Sequence, residues 1–129
     1  MRDISQKYAV IFGMILAIVG SRAYSNYYEF SETIDQWISY YGQPLEIVSG
    51  GAQGADSLAK KYALDRGITF REFLPDWKSY GKRAGPLRNQ KIVDASTHMV
   101  AFLAKSSKGT VDSINKARNR RLKISVYFV

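Results

Sequence analysis

The stretch Leu45-Glu46-Ile47-Val48-Ser49-Gly50-Gly51-Ala52-Gln53-Gly54-Ala55-Asp56 constrains this chain most. A short apolar run ends in Ser-Gly-Gly, a third glycine follows at Gly54, and Ala-Asp-Ser-Leu-Ala then opens a helical pattern. Strand, glycine turn and helix start, in that order, aim free backbone N–H groups and the positive end of a helix dipole at an anion. Glycine lets the chain turn tightly and lets a phosphate approach the backbone with no Cβ between them. Taken alone, such a turn reads better as a strand-to-helix junction without a ligand. The recurrence of similar junctions along the chain shifts the balance toward a site.

That recurrence is visible in chain order. Ile15–Val19 reads as a buried parallel strand, and Gly20–Tyr27 as a polar turn. A helix of about fifteen residues follows, with Phe30, Ile34, Trp37, Ile38 and Tyr41 on one face, and Gly42-Gln43-Pro44 stops it. Leu45–Val48 is the second strand. A helix from Ala55 to Arg66 turns Leu58, Ala59, Tyr62 and Ala63 inward and stops at Gly67. A third strand spans Thr69–Phe73. The irregular loop Asp76–Gly85 leads to Pro86, which suits a first helical turn, and that helix ends near Ala95. Met99–Leu103 is the fourth strand, Ala104–Thr110 a loop, Val111–Arg121 the last helix and Ile124–Val129 the fifth strand. Alternation of this kind predicts one α/β domain: a three-layer, doubly wound, mainly parallel sheet. Right-handed crossovers then place the βα loops along one edge, where open α/β sheets bind ligands.

Composition narrows the chemistry. A chain of 129 residues is about one domain. With no cysteine and one histidine, thiolate and multi-histidine metal sites are excluded within the chain, and no metal residue is assigned. His98 opens the run Met99-Val100-Ala101-Phe102 and reads as a structural residue at a strand end. The lack of disulfides fits a reducing cytoplasm. Net charge is +8, and twelve of the nineteen Lys and Arg lie between Trp77 and Lys123, against two acids there, Asp94 and Asp112. Such polarity favours a polyanionic partner, although the Arg118–Arg121 run reads better as solvation of a helix face. The uncharged run Tyr8–Val19 could pass for a signal peptide, but it is too short for a spanning helix and is read as strand. Residues 1–13 are taken as an N-terminal extension and 14–129 as the domain, in a cytoplasmic protein without membrane partners.

Five ordered motifs carry a resemblance. They are Ile18-Val19-Gly20-Ser21-Arg22; Ser49 through Asp56; Asp76-Trp77 with Tyr80-Gly81-Lys82; Ala84-Gly85-Pro86-Leu87-Arg88-Asn89; and Lys108-Gly109-Thr110. From Met14 to the C-terminus the chain resembles the SLOG superfamily, which groups the DNA-processing Smf/DprA proteins with the LOG phosphoribohydrolases. Within it the chain is similar to the small stand-alone YspA-like, cpYpsA-related branch of bacteria and phages. The resemblance implies a Rossmann-like fold with strand order like 3-2-1-4-5, and nucleotide-type ligands. It implies no settled activity.

Each motif has a physical role beside that resemblance. Gly20 ends a strand, Ser21 can hydrogen-bond a phosphate, and Arg22 offers a bidentate fork, or else pairs with an acid such as Asp56. In the glycine turn, Ser49, Gly50, Gly51, Ala52 and Gly54 are the expected ligand contacts. Asp56, also among the expected site residues, would accept hydrogen bonds from ribose hydroxyls or brace the turn; bracing is favoured, since an acid near phosphate otherwise repels it. Trp77 or Tyr80 is read as a stacking platform for a base, or Trp77 as a packing anchor, with Lys82, Arg83 and Arg88 as phosphate contacts; Asn89 reads a base edge or fixes the loop. Lys108, Gly109 and Thr110 offer a cation, free N–H groups and a hydroxyl, or a plain cap by Thr110.

These residues point first to a module binding a nucleotide or nucleotide-derived ligand, as sensor or sequestering protein, with no certain cofactor and homo-oligomerisation left open. The first alternative is LOG-type hydrolysis of an N-glycosidic bond in nucleoside monophosphates. LOG proteins carry Pro-Gly-Gly-x-Gly-Thr-x-x-Glu; here Ser106-Ser107-Lys108-Gly109-Thr110 lacks the proline and first two glycines, and Ser113 stands at the glutamate position. The other alternative is DprA-like binding of single-stranded nucleic acid. No catalytic residue is assigned.

Overall fold

The computed structural model describes residues 10–129. Five strands, β1 (Val10–Gly20), β2 (Gln43–Ser49), β3 (Thr69–Glu72), β4 (His98–Leu103) and β5 (Lys123–Phe128), form one sheet in the order β3-β2-β1-β4-β5. Every neighbouring pair is parallel. The helices are α1 (Tyr27–Tyr41), α2 (Ala55–Arg66), α3 (Trp77–Tyr80), α4 (Ala84–Ala95) and α5 (Lys108–Asn119), with a 3-10 turn at Gly81–Arg83. The expected Rossmann-like architecture and strand order are both present.

Period-two alternation in the central strand builds the three layers. Met14, Leu16 and Ile18 face one core, against Phe30, Ile34 and Trp37 of α1 and Ala59 and Tyr62 of α2. Ala17 and Val19 face the other, against Ile92 and Val93 of α4 and Ile114 and Ala117 of α5. The chain leaves β1 toward β2 and β3, then crosses to β4 on the other side of β1. The strand order therefore reverses between β1 and β4, and the crevice of an open α/β sheet lies beyond the carboxyl ends of those strands.

Several boundaries differ from those the sequence predicts. β1 starts at Val10 rather than Ile15, and its register with β2 shifts between Ile11 and Ile15, where Gly13 has φ +78°. Residues 1–9 of the expected extension lie outside the described residues; 10–13 belong to β1. Gly42 caps α1 through its N–H to the Ile38 carbonyl at 2.7 Å, but Gln43 and Pro44 already belong to β2. Pro44 is tolerated there because β3 pairs only from Glu46 onward, so no ladder bond to that side is lost. The Asp76–Gly85 segment is helical in part, since the Asp76 carboxylate accepts the Ser79 N–H at 3.1 Å and caps α3. α4 begins at Ala84, with Pro86 in its first turn. α5 begins at Lys108, three residues earlier than Val111, which makes Lys108, Gly109 and Thr110 its first turn. Among the described residues no helix is long and apolar enough to cross a membrane.

The central position of β1 sets a stability test. Leu16 is fully buried and Leu64 is 74% exposed. Leu16→Ala should cost about 2–5 kcal/mol, and Leu64→Ala should stay within about 0.5 kcal/mol. Urea denaturation measures both; equal losses would contradict a core centred on β1.

Candidate functional site

Gly20 ends β1 where α2 and β4 close in. A Cβ there would lie 2.8 Å from the Ala55 Cβ and 2.6 Å from the Phe102 carbonyl oxygen, so no larger residue fits. Ser21 follows, and its backbone ties three elements together. Its N–H donates to the Phe102 carbonyl at 2.9 Å, and its carbonyl accepts the Ala55 N–H at 3.1 Å. The Ser21 hydroxyl oxygen accepts the Ala23 N–H at 3.2 Å, which leaves the hydroxyl proton free to donate. Gly54, at φ +74°, is what lets α2 start against this loop, because a Cβ would run into the Ser21 and Arg22 backbone.

Asp56, in the first turn of α2, is 8% exposed and accepts the Ala52 N–H at 3.0 Å. Burial raises its pKa; the Ala52 and Gly50 N–H groups, Ser49 and the Arg88 charge pull the other way without cancelling that rise. Arg88, on α4, donates Nη1–H to the Gly50 carbonyl and Nε–H to Asn89 Oδ1 at 2.9 Å. Burial lowers the Arg88 pKa; Asp56 opposes that shift and the nearby Arg22 guanidinium adds to it. Asp56 and Arg88 thus each brace the glycine turn, one through the Ala52 N–H and the other through the Gly50 carbonyl. Asn89 fixes α4 to α5 by donating Nδ2–H to Asp112 Oδ2 at 3.0 Å. Lys116 holds Asp112 from the other side at 2.5 Å.

These elements enclose a cavity of about 420 Å³ at the β1/β4 switch point. Gly20, Ser21, Arg22, Gly50, Ala52, Asp56, Arg88, Asn89, Lys108, Gly109 and Thr110 all line it. The first turn of α5 opens into it, and Ser107, at the N-cap position, makes no capping bond to the helix. Its hydroxyl oxygen instead accepts the Ala104 N–H at 3.2 Å. Thr110 and Ser113 are 6% and 2% exposed, and both line the cavity. The cavity therefore gathers three cations, a helix N-terminus without a side-chain cap and several hydroxyl side chains around one carboxylate that is already held. It can accept an anion with several oxygens.

Not every predicted contact arrives there. Ser49 is fully buried below the loop, where its hydroxyl donates to the Ile18 carbonyl at 2.6 Å. Gly54 is spent on packing. Gly51, with φ +76°, points its missing Cβ at Leu74 and Glu72, so it serves the backbone turn and gives no room to a phosphate in this cavity. Trp77 and Gly51 line an adjoining cavity instead. Lys82 sits exposed in the 3-10 turn and lines neither. The cation whose charge acts on Asp56 is Arg88 rather than Arg22. Thr110 is not the helix cap, because it lies inside α5. Sequence reasoning passed over Ser106, Ser107 and Ser113 as contacts. The available signal was Thr110 and Ser113 spaced i, i+3 on the inward face that also carries Ile114 and Ala117.

A parallel doubly wound sheet with a polar, cation-lined crevice at its switch point defines a Rossmann-like domain. The chain belongs to the YspA, cpYpsA-related SLOG family, whose sequence pattern matches residues 14–80. It is similar to the Gene 61 protein of Mycobacterium phage D29, with 36% identity over 86 residues, covering 62% of this chain and 67% of that protein. Its fold is similar to that of DNA processing protein A (DprA) from Streptococcus pneumoniae, with a TM-score of 0.70 at 22% identity over 88% of this chain. The chain spans about half the length of that DprA chain, 50%.

Asp56 provides a pH test. Its pKa is raised in the folded state, so its buried charge costs stability at neutral pH, and that cost disappears as pH falls through the raised value toward the unfolded value near ~4. Stability of the wild type relative to Asp56→Asn should therefore rise as pH is lowered from 7 to about 4. Denaturation midpoints measured across that range would refute the assignment if the difference stayed constant.

Proposed function

We propose that this chain is a nucleotide-binding domain, a sensor or sequestering protein that holds the phosphate of a nucleotide or nucleotide-derived ligand at the β1/β4 edge. One observation carries the reading: Arg22, Arg88 and Lys108 converge with the uncapped α5 N-terminus on a cavity whose one acid, Asp56, is already bound by the Ala52 N–H. Phosphate suits such a site, because helix N–H groups and guanidinium forks both match its oxygens. Membership of the SLOG family supports nucleotide or nucleic-acid ligands at the level of the family.

A LOG-type hydrolase reading gains no support from the site. Ser113 occupies the position of the LOG glutamate, and neighbouring Asp112 is held by Lys116 and Asn89 and does not line the cavity. Asp56, the carboxylate present there among the described residues, is tied to the Ala52 N–H. A small nucleotide in a cytoplasmic setting remains the proposed partner.

Charge at two places separates the proposal from binding of a long polyanion. A charge-assisted contact contributes about 1.5–3 kcal/mol, so Arg88→Ala should weaken nucleotide binding roughly ten- to a hundredfold. Arg120 is exposed and pairs with Asp94 at 3.6 Å, so Arg120→Ala should leave a small nucleotide's affinity unchanged. Calorimetry with a nucleotide and with a single-stranded oligonucleotide, at two salt concentrations, compares them. Equal losses on the oligonucleotide with no nucleotide binding would favour the nucleic-acid alternative.

A further inference from the structure

Two cavities share one wall. The second, about 580 Å³, is lined by Leu74, Pro75 and Trp77 together with the glycine turn, and Arg22 and Arg88 line both. The arginine pair is thus the divide between two compartments. Lys108 and the α5 N-terminus belong to the first compartment alone, and Trp77 to the second alone.

The compartments differ in chemistry. On the α5 side stand the hydroxyls of Ser106, Ser107, Thr110 and Ser113, with Lys108 at the helix start. On the other side Trp77 is 54% exposed and Leu74 67% exposed, which leaves an apolar face in water beside two guanidinium groups. That face is held in position. Asp76 caps the short helix carrying Trp77, and the outer edge of the indole lies against Gly85 of α4. A fixed, exposed aromatic ring next to arginines is a stacking platform for a base, since every base has a π-face and its phosphate reaches the neighbouring cations.

We propose, resting on the nucleotide reading above, that the ligand lies across both compartments. Its base stacks on Trp77, its first phosphoryl group sits over Arg22 and Arg88, and a second reaches the α5 N-terminus beside Lys108. The ligand class is then a nucleotide with two or more phosphoryl groups in a chain, in preference to a monophosphate. The order of groups follows from the lining: a base on the α5 side would bury its apolar faces among hydroxyls and leave the indole bare. A lone phosphate over the arginines would leave the helix N-terminus and Lys108 unmatched.

The test is calorimetry with the four ribonucleoside monophosphates and the four diphosphates on the intact protein, Trp77→Ala, Lys108→Ala and Arg88→Ala. Trp77 and Lys108 are exposed, so both variants should fold, as circular dichroism would verify. For the preferred base, the diphosphate should bind at least about tenfold tighter than the monophosphate, one added charge-assisted contact. Trp77→Ala should weaken both by about five- to a hundredfold, the range of one base–aromatic stack. Lys108→Ala should remove the advantage of the diphosphate. Equal affinities for mono- and diphosphate, or no effect of Trp77→Ala, with Arg88→Ala still weakening binding, would overturn the two-compartment ligand and leave the nucleotide reading standing. Absence of binding by all eight nucleotides would overturn both.

Discussion

The Ala55 N–H donates to the Ser21 carbonyl at 3.1 Å, and the carboxyl edge of the sheet is arranged around that contact. It joins the loop after β1 to the start of α2, and so brings Arg22 and the glycine turn to the same crevice. A single hydrogen bond of this kind nets only about 1 kcal/mol, so its importance is positional rather than energetic. Its cost is steric. Gly20 must lack a side chain for Ala55 to approach, and Gly54 must lack one for the loop to pass. Two of the glycines that resemble phosphate contacts in the sequence are therefore packing residues that make the site possible.

Charge balance explains how an acid can stand in the proposed anion site. Asp56 lies under the turn, holds the Ala52 N–H and faces Arg88, so its negative charge is committed to the protein. Arg88 in turn is fastened to the Gly50 carbonyl and to Asn89, and its guanidinium keeps a face toward both cavities. Arg22 and Lys108 are exposed and carry no comparable anchor, so a ligand has two adaptable cations and one fixed one.

The architecture was legible because β1 alternates cleanly: Leu16 and Ile18 face one core, Ala17 and Val19 the other, and the helical stripes at Phe30-Ile34-Trp37 and Ala59-Tyr62-Ala63 match. Boundaries were less so. The start of α5 was misread because Thr110 has the chemistry of a cap, whereas Ser107 holds that position without making a capping bond. Within the candidate site, the sequence carries residue type but not direction. Lys82 has the charge for phosphate, but the 3-10 turn leaves it outside both cavities, and nothing local in the sequence encodes that turn's direction. Gly51 has the composition of a phosphate loop, yet what decides its role is Leu74, more than twenty residues away in sequence. Ser113, noted in the sequence only for replacing the LOG glutamate, is not legible there as a cavity-lining residue because a small polar residue on an inward helix face looks like core.

The central claim is that an anion is held at the edge between β1 and β4, by the start of α5 and by Arg22 and Arg88. Titration of isotope-labelled protein with a nucleoside diphosphate, followed through backbone amide chemical shifts, addresses it directly. The account predicts saturable shifts concentrated at Ser21, Arg22, Gly50, Gly109 and Thr110, with the Arg118–Arg121 segment unmoved. Shifts confined to that basic segment, or spread over the surface without saturation, would contradict it.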